Sequence, residues 1–194
     1  MKNFHQLLSS YGTISEEDAL NFYSYFKHKQ FKKNTILLEK ESVSFEAFFV
    51  LKGALRQYFY TEKGTERTCN FSFENEFSTD LESFSKKCKS STSIICLEET
   101  ECMVISCDDL MLCLQKFPAI ATYFNNLVET ITLQNIKKIQ SLLSKTPEEQ
   151  FEEILEKMPK LLQRVPQRYI AQYIGVEPES LSRIRKRSLN TLKS

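Results

Sequence analysis

The sequence predicts an α+β protein in which a small β-roll, also called a jelly roll, is followed by one long helix and a C-terminal helix-turn-helix. Between Phe31 and Ser106, short β-rich segments replace the helical spacing of apolar residues found on either side. After Pro118 no Gly or Pro occurs before Pro147, which permits a helix of about 26 residues, roughly 39 Å long. Near the C-terminus, Gly175 separates two short amphipathic segments that are typical of paired helices.

Length and composition set the limits of this architecture. The chain has 194 residues, of which 41% are apolar and 26% charged, and these ordinary values exclude extended disorder. No apolar run approaches the roughly 18 residues that a membrane span needs, and Met1–Gln6 has no apolar signal-peptide core. We expect a cytoplasmic protein without membrane association, divided into a β-roll domain (1–116), a long helix (117–145) and a helix-turn-helix domain (146–194).

Local patterns predict the N-terminal elements. Apolar residues at helical spacing predict helices from Met1 to His28, and the Ser15–Asp18 capping box begins the second of them. Glu62–Thr65 contains Gly64 and predicts a hairpin turn. Several short strands at close spacing indicate a small sandwich or barrel. The predicted strands are Thr35–Leu38, Phe45–Leu51, Ala54–Tyr60, Arg67–Phe73, Ser91–Leu97 and Cys102–Ile105.

The later helices have recognisable start signals. Ser106 caps a short helix that ends at Lys116, Pro118 begins the long helix, and Thr146 caps a further helix that ends before Pro159. The segment Leu161–Val165 is interpreted as a connection to the basic C-terminal region.

The long helix carries an apolar stripe that must be buried against some surface. The stripe is not a clean heptad, because Gln134, Lys138 and Ser141 stand where a two-helix seam would have apolar residues. Packing on its own domain and pairing with a second copy of the chain both stay open, and the length of the helix favours pairing. The stripe consists of Ile120, Phe124, Leu127, Val128, Ile131, Ile136, Ile139, Leu142 and Leu143.

The six cysteines show no metal-binding pattern. No two form a C-x-x-C pair, and both histidines lie far upstream. We expect no metal site and no cofactor, and we interpret the cysteines as small buried apolar residues, with a redox-sensing thiol as the alternative. They are Cys69, Cys88, Cys96, Cys102, Cys107 and Cys113.

Charge is concentrated at the C-terminal end. The whole chain has a net charge of +1, but residues 160–194 contain eight Lys and Arg against two Glu, a net charge of +6. Such a segment in a nearly neutral chain indicates contact with a polyanion, and a merely solvated basic tail is the alternative.

The basic segment has the spacing of a helix-turn-helix. A first helix over Gln167–Ile174 is followed by Gly175, and a second begins near Pro178. Val176 is the apolar residue of the turn, with Ala171 five positions before it and Leu181 five positions after it. This spacing predicts two closely crossing helices, the second of which enters the major groove of DNA.

The second helix carries side chains suited to that task. Arg183 can pair with O6 and N7 of guanine, and Glu179 can accept a hydrogen bond from N4 of cytosine. Phosphate contacts would supply affinity without reading sequence. The candidate base-edge residues are Glu177, Glu179, Ser180 and Arg183, and the candidate phosphate contacts are Ser182, Arg185, Lys186, Arg187, Gln167 and Arg168.

The order of β-roll, long helix and helix-turn-helix resembles the Crp–Fnr family of bacterial transcription regulators, from Phe31 to Arg187. Phe48–Gly53 resembles the family's strand-and-glycine signature, and Glu62–Arg67 resembles its hairpin turn. Ala171–Arg187 resembles its DNA-reading motif, with the Arg and Glu just described at the base-reading positions. Leu181–Lys186 is similar to short regulators of this type in Bacteroidetes-like bacteria.

The resemblance implies a cyclic-nucleotide-binding-like sensor domain and a homodimer formed through the long helix. It also implies binding to double-stranded DNA at a pseudo-palindromic operator, with half-site centres about 34–36 Å apart. RNA polymerase and an unidentified small-molecule effector are further candidate partners. No Ser-His-Asp order or phosphate-cradling Gly-rich loop is present, so we expect no enzyme.

Two departures from the family pattern matter. Thr79 and Asp80 stand where the family has the Gly-Glu pair that holds the ribose of cyclic AMP, and Ser90 and Ser91 replace the Arg-Ser pair that holds its phosphate. Asn135 on the long helix corresponds to a group near the adenine. Without the Arg a charge-assisted pair is lost, so the pocket is interpreted as degenerate and the regulator as independent of cyclic AMP.

The second departure is a truncated or missing wing, because only seven residues follow Arg187. The alternative function is a sensor module for a cyclic nucleotide or another small molecule, with weak or no specific DNA binding.

Overall fold

The computed structural model of the protein describes residues 15–191, with side chains as far as Ser188. The helix predicted before Ser15 and residues 192–194 lie outside the described residues. The fold is α+β, as predicted. The helices are α1 (Glu16–Ser24), α2 (Leu81–Lys86), α3 (Cys107–Lys116), α4 (Pro118–Ser144), α5 (Pro147–Lys157), α6 (Pro159–Arg164), α7 (Gln167–Ile174) and α8 (Pro178–Thr191).

The strands form two four-stranded sheets. The strands are β1 (Lys27–Phe31), β2 (Ile36–Leu38), β3 (Glu46–Lys52), β4 (Leu55–Tyr60), β5 (Glu66–Ser72), β6 (Phe77–Ser78), β7 (Ser93–Cys96) and β8 (Thr100–Ser106). One sheet has the order β1-β8-β3-β6 and the other the order β2-β7-β4-β5. This arrangement confirms the predicted β-roll.

Strands β3 and β8 are buried on both faces. Phe48 and Val50 pack with Ile94 of the other sheet in one apolar cluster. The alternate residues Ala47 and Phe49 pack in a second cluster that includes side chains of α1, α3 and the first half of α4. Burial on both faces explains why β3 is a continuous apolar run rather than an alternating one.

The described chain divides into two compact units. One unit contains the described residues up to Gln57 together with Phe71–Thr132. The other contains Tyr58–Asn70, which is most of the β4–β5 hairpin, together with the described residues from Leu133 onward. The hairpin tip therefore groups with the C-terminal helices and not with the rest of the β-roll.

Helix caps occur where the sequence predicts them. The hydroxyl of Ser15 accepts from the backbone N–H of Asp18 at 3.0 Å, and Ser106 accepts from Asp109 at 3.1 Å. Thr146 and Glu149 form a reciprocal capping box. Each cap satisfies backbone donors that the first turn of a helix leaves unpaired.

Four short elements were not predicted from the sequence or were predicted as something else. Lys27–Phe31 is strand β1 and not the end of a helix, because its five residues pair with β8. The segment predicted as a connection is helix α6 up to Arg164. Strand β6 and helix α2 were missed. These elements are short, and tertiary pairing stabilises them more than local propensity does.

The two halves of the long helix differ in how much of their apolar surface is buried. Ile120, Tyr123 and Leu127 are buried in the core of the first unit, so packing on its own domain is confirmed for this half. The second half exposes a series of apolar side chains in the single chain. They are Ile131, Leu133, Ile136, Ile139, Leu142 and Leu143.

Candidate nucleic-acid interface and effector pocket

Helices α7 and α8 form the predicted helix-turn-helix. Ile170, Ala171 and Ile174 of the first helix are buried, as are Leu181 and Ile184 of the second. Gly175 ends α7 with a φ of +78°, a left-handed conformation that costs glycine little.

The pair rests on the two preceding helices. Phe151 and Ile154 of α5 and Leu161 of α6 are buried in the same unit, and α5 contacts both α7 and α8. Because α8 buries one stripe of side chains on this platform, its opposite face is left for solvent.

The exposed face of α8 carries three of the four residues predicted to read bases, and the fourth, Glu177, directly precedes the helix. Glu177, Glu179 and Arg183 are exposed, and Ser180 is half-buried. The Arg183 guanidinium donates to the Ser180 hydroxyl at 3.3 Å. This contact places the guanidinium near the N-terminal turn of α8, the part that the second helix of a helix-turn-helix presents to base edges.

The predicted phosphate contacts surround this face. Ser182, Arg185 and Lys186 on α8 are exposed, as is Gln167 on α7. The Arg168 guanidinium lies 4.6 Å from the centre of the Tyr169 ring and donates to its hydroxyl at 2.7 Å. This stacking restrains a side chain that would otherwise be mobile.

Arg187 already has an acidic neighbour. Its guanidinium lies 3.4 Å from the Glu148 carboxylate of α5, and both side chains are solvent-exposed. An exposed ion pair of this kind contributes little free energy. It can therefore be exchanged for a phosphate at small cost.

Hydrogen bonds to the Glu153 carboxylate of α5 connect this helix to the C-terminal end of α4. The Glu153 carboxylate accepts from Lys145 at 2.7 Å, from Lys157 at 2.7 Å and from Ser141 at 2.8 Å. These hydrogen bonds lower the pKa of Glu153 to about 2. Nothing in the sequence singles out Glu153, because the fold is needed to bring Ser141 of α4 and Lys145 of the connecting segment to its carboxylate.

In the β-roll, the predicted effector pocket is a closed hydrogen-bond network around Asp80. Asp80 is buried at the start of α2 and accepts from the backbone N–H of Ser83 at 3.1 Å. Its other oxygen accepts from the hydroxyls of Ser90 at 2.7 Å and Thr92 at 2.9 Å. Burial by itself raises the pKa of Asp80, but these hydrogen bonds outweigh it and hold the pKa below 3.8.

The remaining predicted pocket residues do not join this network. Thr79 donates to the carbonyl of Glu46 at 3.2 Å, and Ser91 is exposed. Asn135 is also exposed and belongs to the other compact unit. The structure therefore brings Asp80 and Ser90 together as mutual partners.

Replacing Asp80 with Ala is expected to lower the free energy of unfolding by about 1–3 kcal/mol, because it removes a helix cap and takes this acceptor from the buried hydroxyl of Ser90 and the half-buried hydroxyl of Thr92. Chemical denaturation measures the change. Because the pKa of Asp80 is lowered, its contribution is present at neutral pH and is lost as the pH falls below 3.8.

Glu82→Ala, which removes an exposed carboxylate on the same helix, serves as the control. An Asp80→Ala protein as stable as this control would contradict the assignment.

Four of the six cysteines, Cys96, Cys102, Cys107 and Cys113, are buried as predicted, but Cys88 is exposed and Cys69 is half-buried, so the prediction is wrong for these two. Burial raises the pKa of the Cys96 thiol to about 11, of Cys102 to about 12 and of Cys113 to about 11, so these thiols stay protonated at neutral pH. Among residues 15–191, no group of His, Cys, Asp and Glu is arranged to hold a metal ion. Within the same range, no helix combines the length and apolar character that crossing a bilayer demands.

Comparison with known proteins gives one family match and many structural matches. Residues 28–117 match the family model of the cyclic nucleotide-binding domain. No curated protein matches the chain in sequence. Among solved structures, the c-di-GMP-responsive global regulator CLP of Xanthomonas campestris has a TM-score of 0.73 at 14% identity, with 91% of this chain and 93% of that chain covered.

Two further solved structures have the same architecture. FixK2 of Bradyrhizobium japonicum has a TM-score of 0.72 at 14% identity, with 86% of this chain and 85% of that chain covered. The catabolite activator protein of Thermus thermophilus has a TM-score of 0.60 at 19% identity, with 95% of this chain and 87% of that chain covered. These matches confirm the fold that the sequence predicts.

Proposed function

We propose that this chain, whose residues 28–117 match the cyclic nucleotide-binding domain and whose fold is that of the catabolite activator protein and CLP, is a dimeric, sequence-specific DNA-binding regulator of the Crp–Fnr type that is independent of cyclic AMP. The observation that carries the proposal is the exposed face of α8, where Glu179 and Arg183 stand among basic side chains on a helix-turn-helix. The role is regulatory and not catalytic.

Helices α7 and α8 carry two kinds of side chain for DNA binding: those that contact base edges and those that contact phosphates. Arg183 pairs with a guanine and Glu179 accepts from a cytosine, which specifies the sequence of each half-site. Lys186, Arg185 and Arg168 contact phosphates and supply affinity that falls with salt. A segment with a net charge of +6 over residues 160–194 suits this task.

Dimer formation would cover the apolar residues that the second half of α4 exposes. Ile136 and Ile139 have 47% and 55% of their surface exposed in the single chain. A second copy of α4 packed along this face would bury them and place two recognition helices about its two-fold axis. The operator would then be pseudo-palindromic, with two half-sites.

Independence of cyclic AMP is supported by the Asp80 network. A ribose hydroxyl could bind Asp80 only by displacing hydroxyls of the protein's own chain, those of Ser90 and Thr92. Ser90 and Ser91 offer no positive charge to a cyclic phosphate. An effector of other chemistry, and RNA polymerase as a partner, remain part of the proposal.

A second candidate function is a small-molecule sensor without specific DNA binding. The match of residues 28–117 to the cyclic nucleotide-binding domain favours it.

Fluorescence anisotropy with labelled DNA fragments from the gene's own upstream region separates the two functions. We expect tight binding to one fragment, a steep decrease of affinity with salt, and no change when cyclic AMP is added. Equal and weak binding to all fragments would contradict the regulator, and a cyclic-AMP-dependent gain would contradict the proposed independence.

A further inference from the structure

One half-buried ammonium group joins three elements of the C-terminal unit. Lys138 lies on α4, and its Nζ donates to the backbone carbonyl of Cys69 on β5. The same Nζ lies 3.6 Å from the centre of the Tyr173 ring on α7. All three residues belong to one compact unit, which contains the hairpin tip and the C-terminal helices.

A second contact joins the same hairpin to the same helix. The Thr68 hydroxyl on β5 donates to the side-chain oxygen of Gln172 on α7 at 3.2 Å. Thr68 and Cys69 are adjacent, as are Gln172 and Tyr173, so the hairpin and α7 meet along a short, polar contact. Lys138 adds α4 to this contact.

The charge of Lys138 fixes the orientation of its neighbours better than it stabilises the fold. Burial lowers the pKa of its ammonium to about 8, an effect that the nearby Cys69 partly opposes. Holding a desolvated charge costs free energy that an apolar side chain of similar size would not. The carbonyl and the aromatic face compensate this cost only in a narrow range of geometries, since both interactions depend on direction.

We propose that Lys138 is a positioning residue that holds α7 at one angle to the hairpin and to α4, and thereby fixes the direction in which α8 is presented to DNA. The proposal rests on the DNA-binding function proposed above. Lys138 itself needs no contact with DNA for this role.

Lys138→Met tests the role because it keeps the length of the side chain and removes its charge and donors. We expect operator affinity to fall about 5- to 30-fold, the loss that corresponds to a desolvated cation–π contact. Lys138→Arg retains both the donor and the cation and is expected to restore most of the affinity. Lys137→Met removes the neighbouring, exposed lysine and controls for the loss of one positive charge.

Substitutions of Tyr173 test the same contact through the aromatic ring that Lys138 approaches. Tyr173→Phe keeps the aromatic face and is expected to bind DNA like the unchanged protein. Tyr173→Leu removes the face and is expected to reproduce the loss of affinity seen with Lys138→Met, and the double variant should lose no more than either single one.

Hydrogen exchange and thermal unfolding separate positioning from general stability. In Lys138→Met we expect faster amide exchange confined to residues 66–70 and 167–174, with an unfolding midpoint that is unchanged or higher. A purely structural lysine would instead lower the midpoint and raise exchange throughout the unit.

These measurements distinguish failure of the proposed DNA-binding function from failure of the positioning role of Lys138. If the unchanged protein binds no operator, the proposed function fails, and the exchange measurement still decides whether Lys138 holds α7. If the unchanged protein binds its operator, and Lys138→Met binds equally with the same exchange pattern, the positioning role is wrong.

Discussion

Replacing Ile139 with Glu is expected to convert the protein to a monomer and to abolish tight binding to an operator with two half-sites. Ile139 lies on the exposed apolar face of α4, with 55% of its surface accessible in the single chain. In a symmetric dimer a substitution near the two-fold axis introduces two carboxylates that must be desolvated or repel each other. Linked recognition helices gain about 10²- to 10⁴-fold in affinity over a single one, and this gain disappears with the dimer.

Sedimentation analysis and DNA-binding measurements on the same samples check this result. Gln140→Glu adds the same charge at the next position, off the apolar stripe, and is expected to remain dimeric. The monomeric variant should remain folded, because Ile139 is not part of the buried core of the single chain. A dimeric Ile139→Glu protein with unchanged operator affinity would show that the exposed face of α4 is not the dimer interface.

Arg183→Ala is expected to cost about 1–3 kcal/mol of operator affinity and to relax the preference at one base pair of each half-site. The guanidinium is exposed on α8 and its only described side-chain hydrogen bond goes to Ser180, so its removal should leave the fold intact. Arg183→Lys retains the charge but not the two parallel hydrogen bonds to guanine, and is expected to lose specificity as well.

The matched control for Arg183 is Lys186→Ala on the same helix. Loss of a phosphate contact should weaken binding about equally for all sequences and reduce the slope of log affinity against log salt by about one unit. Binding to a set of operators that differ at single base pairs separates the two patterns. A uniform loss in Arg183→Ala would assign that arginine to the backbone of DNA and would contradict its role in reading bases.

The helix-turn-helix could be predicted from the sequence because its signals are local. Gly175 at the turn, Ala171 at the helix crossing, and apolar residues at fixed distances from Val176 lie within a short stretch of chain, and the structure has each of them in the expected place. The caps at Ser106 and Thr146 are equally local.

The sequence did not reveal features that depend on residues far apart in the chain. Strand β1 reads as polar and irregular, and it forms only because β8, some seventy residues later, pairs with it. The sequence placed Asp80 and Ser90 in a degenerate effector pocket, and only the structure shows that the hydroxyls of Ser90 and Thr92 donate to Asp80. Lys138 was visible only as an interruption of the apolar stripe, and its contacts to Cys69 and Tyr173 needed the fold.

Selection of bound duplexes from a random-sequence pool by the purified protein tests the central claim most directly. The account predicts enrichment of a two-fold symmetric sequence with half-site centres about one helical turn apart, with cyclic AMP present or absent. It also predicts that Arg183→Ala relaxes one symmetric pair of positions in that sequence. A pool that shows no enriched sequence, or a single asymmetric site, would contradict a dimeric regulator that reads DNA through α8.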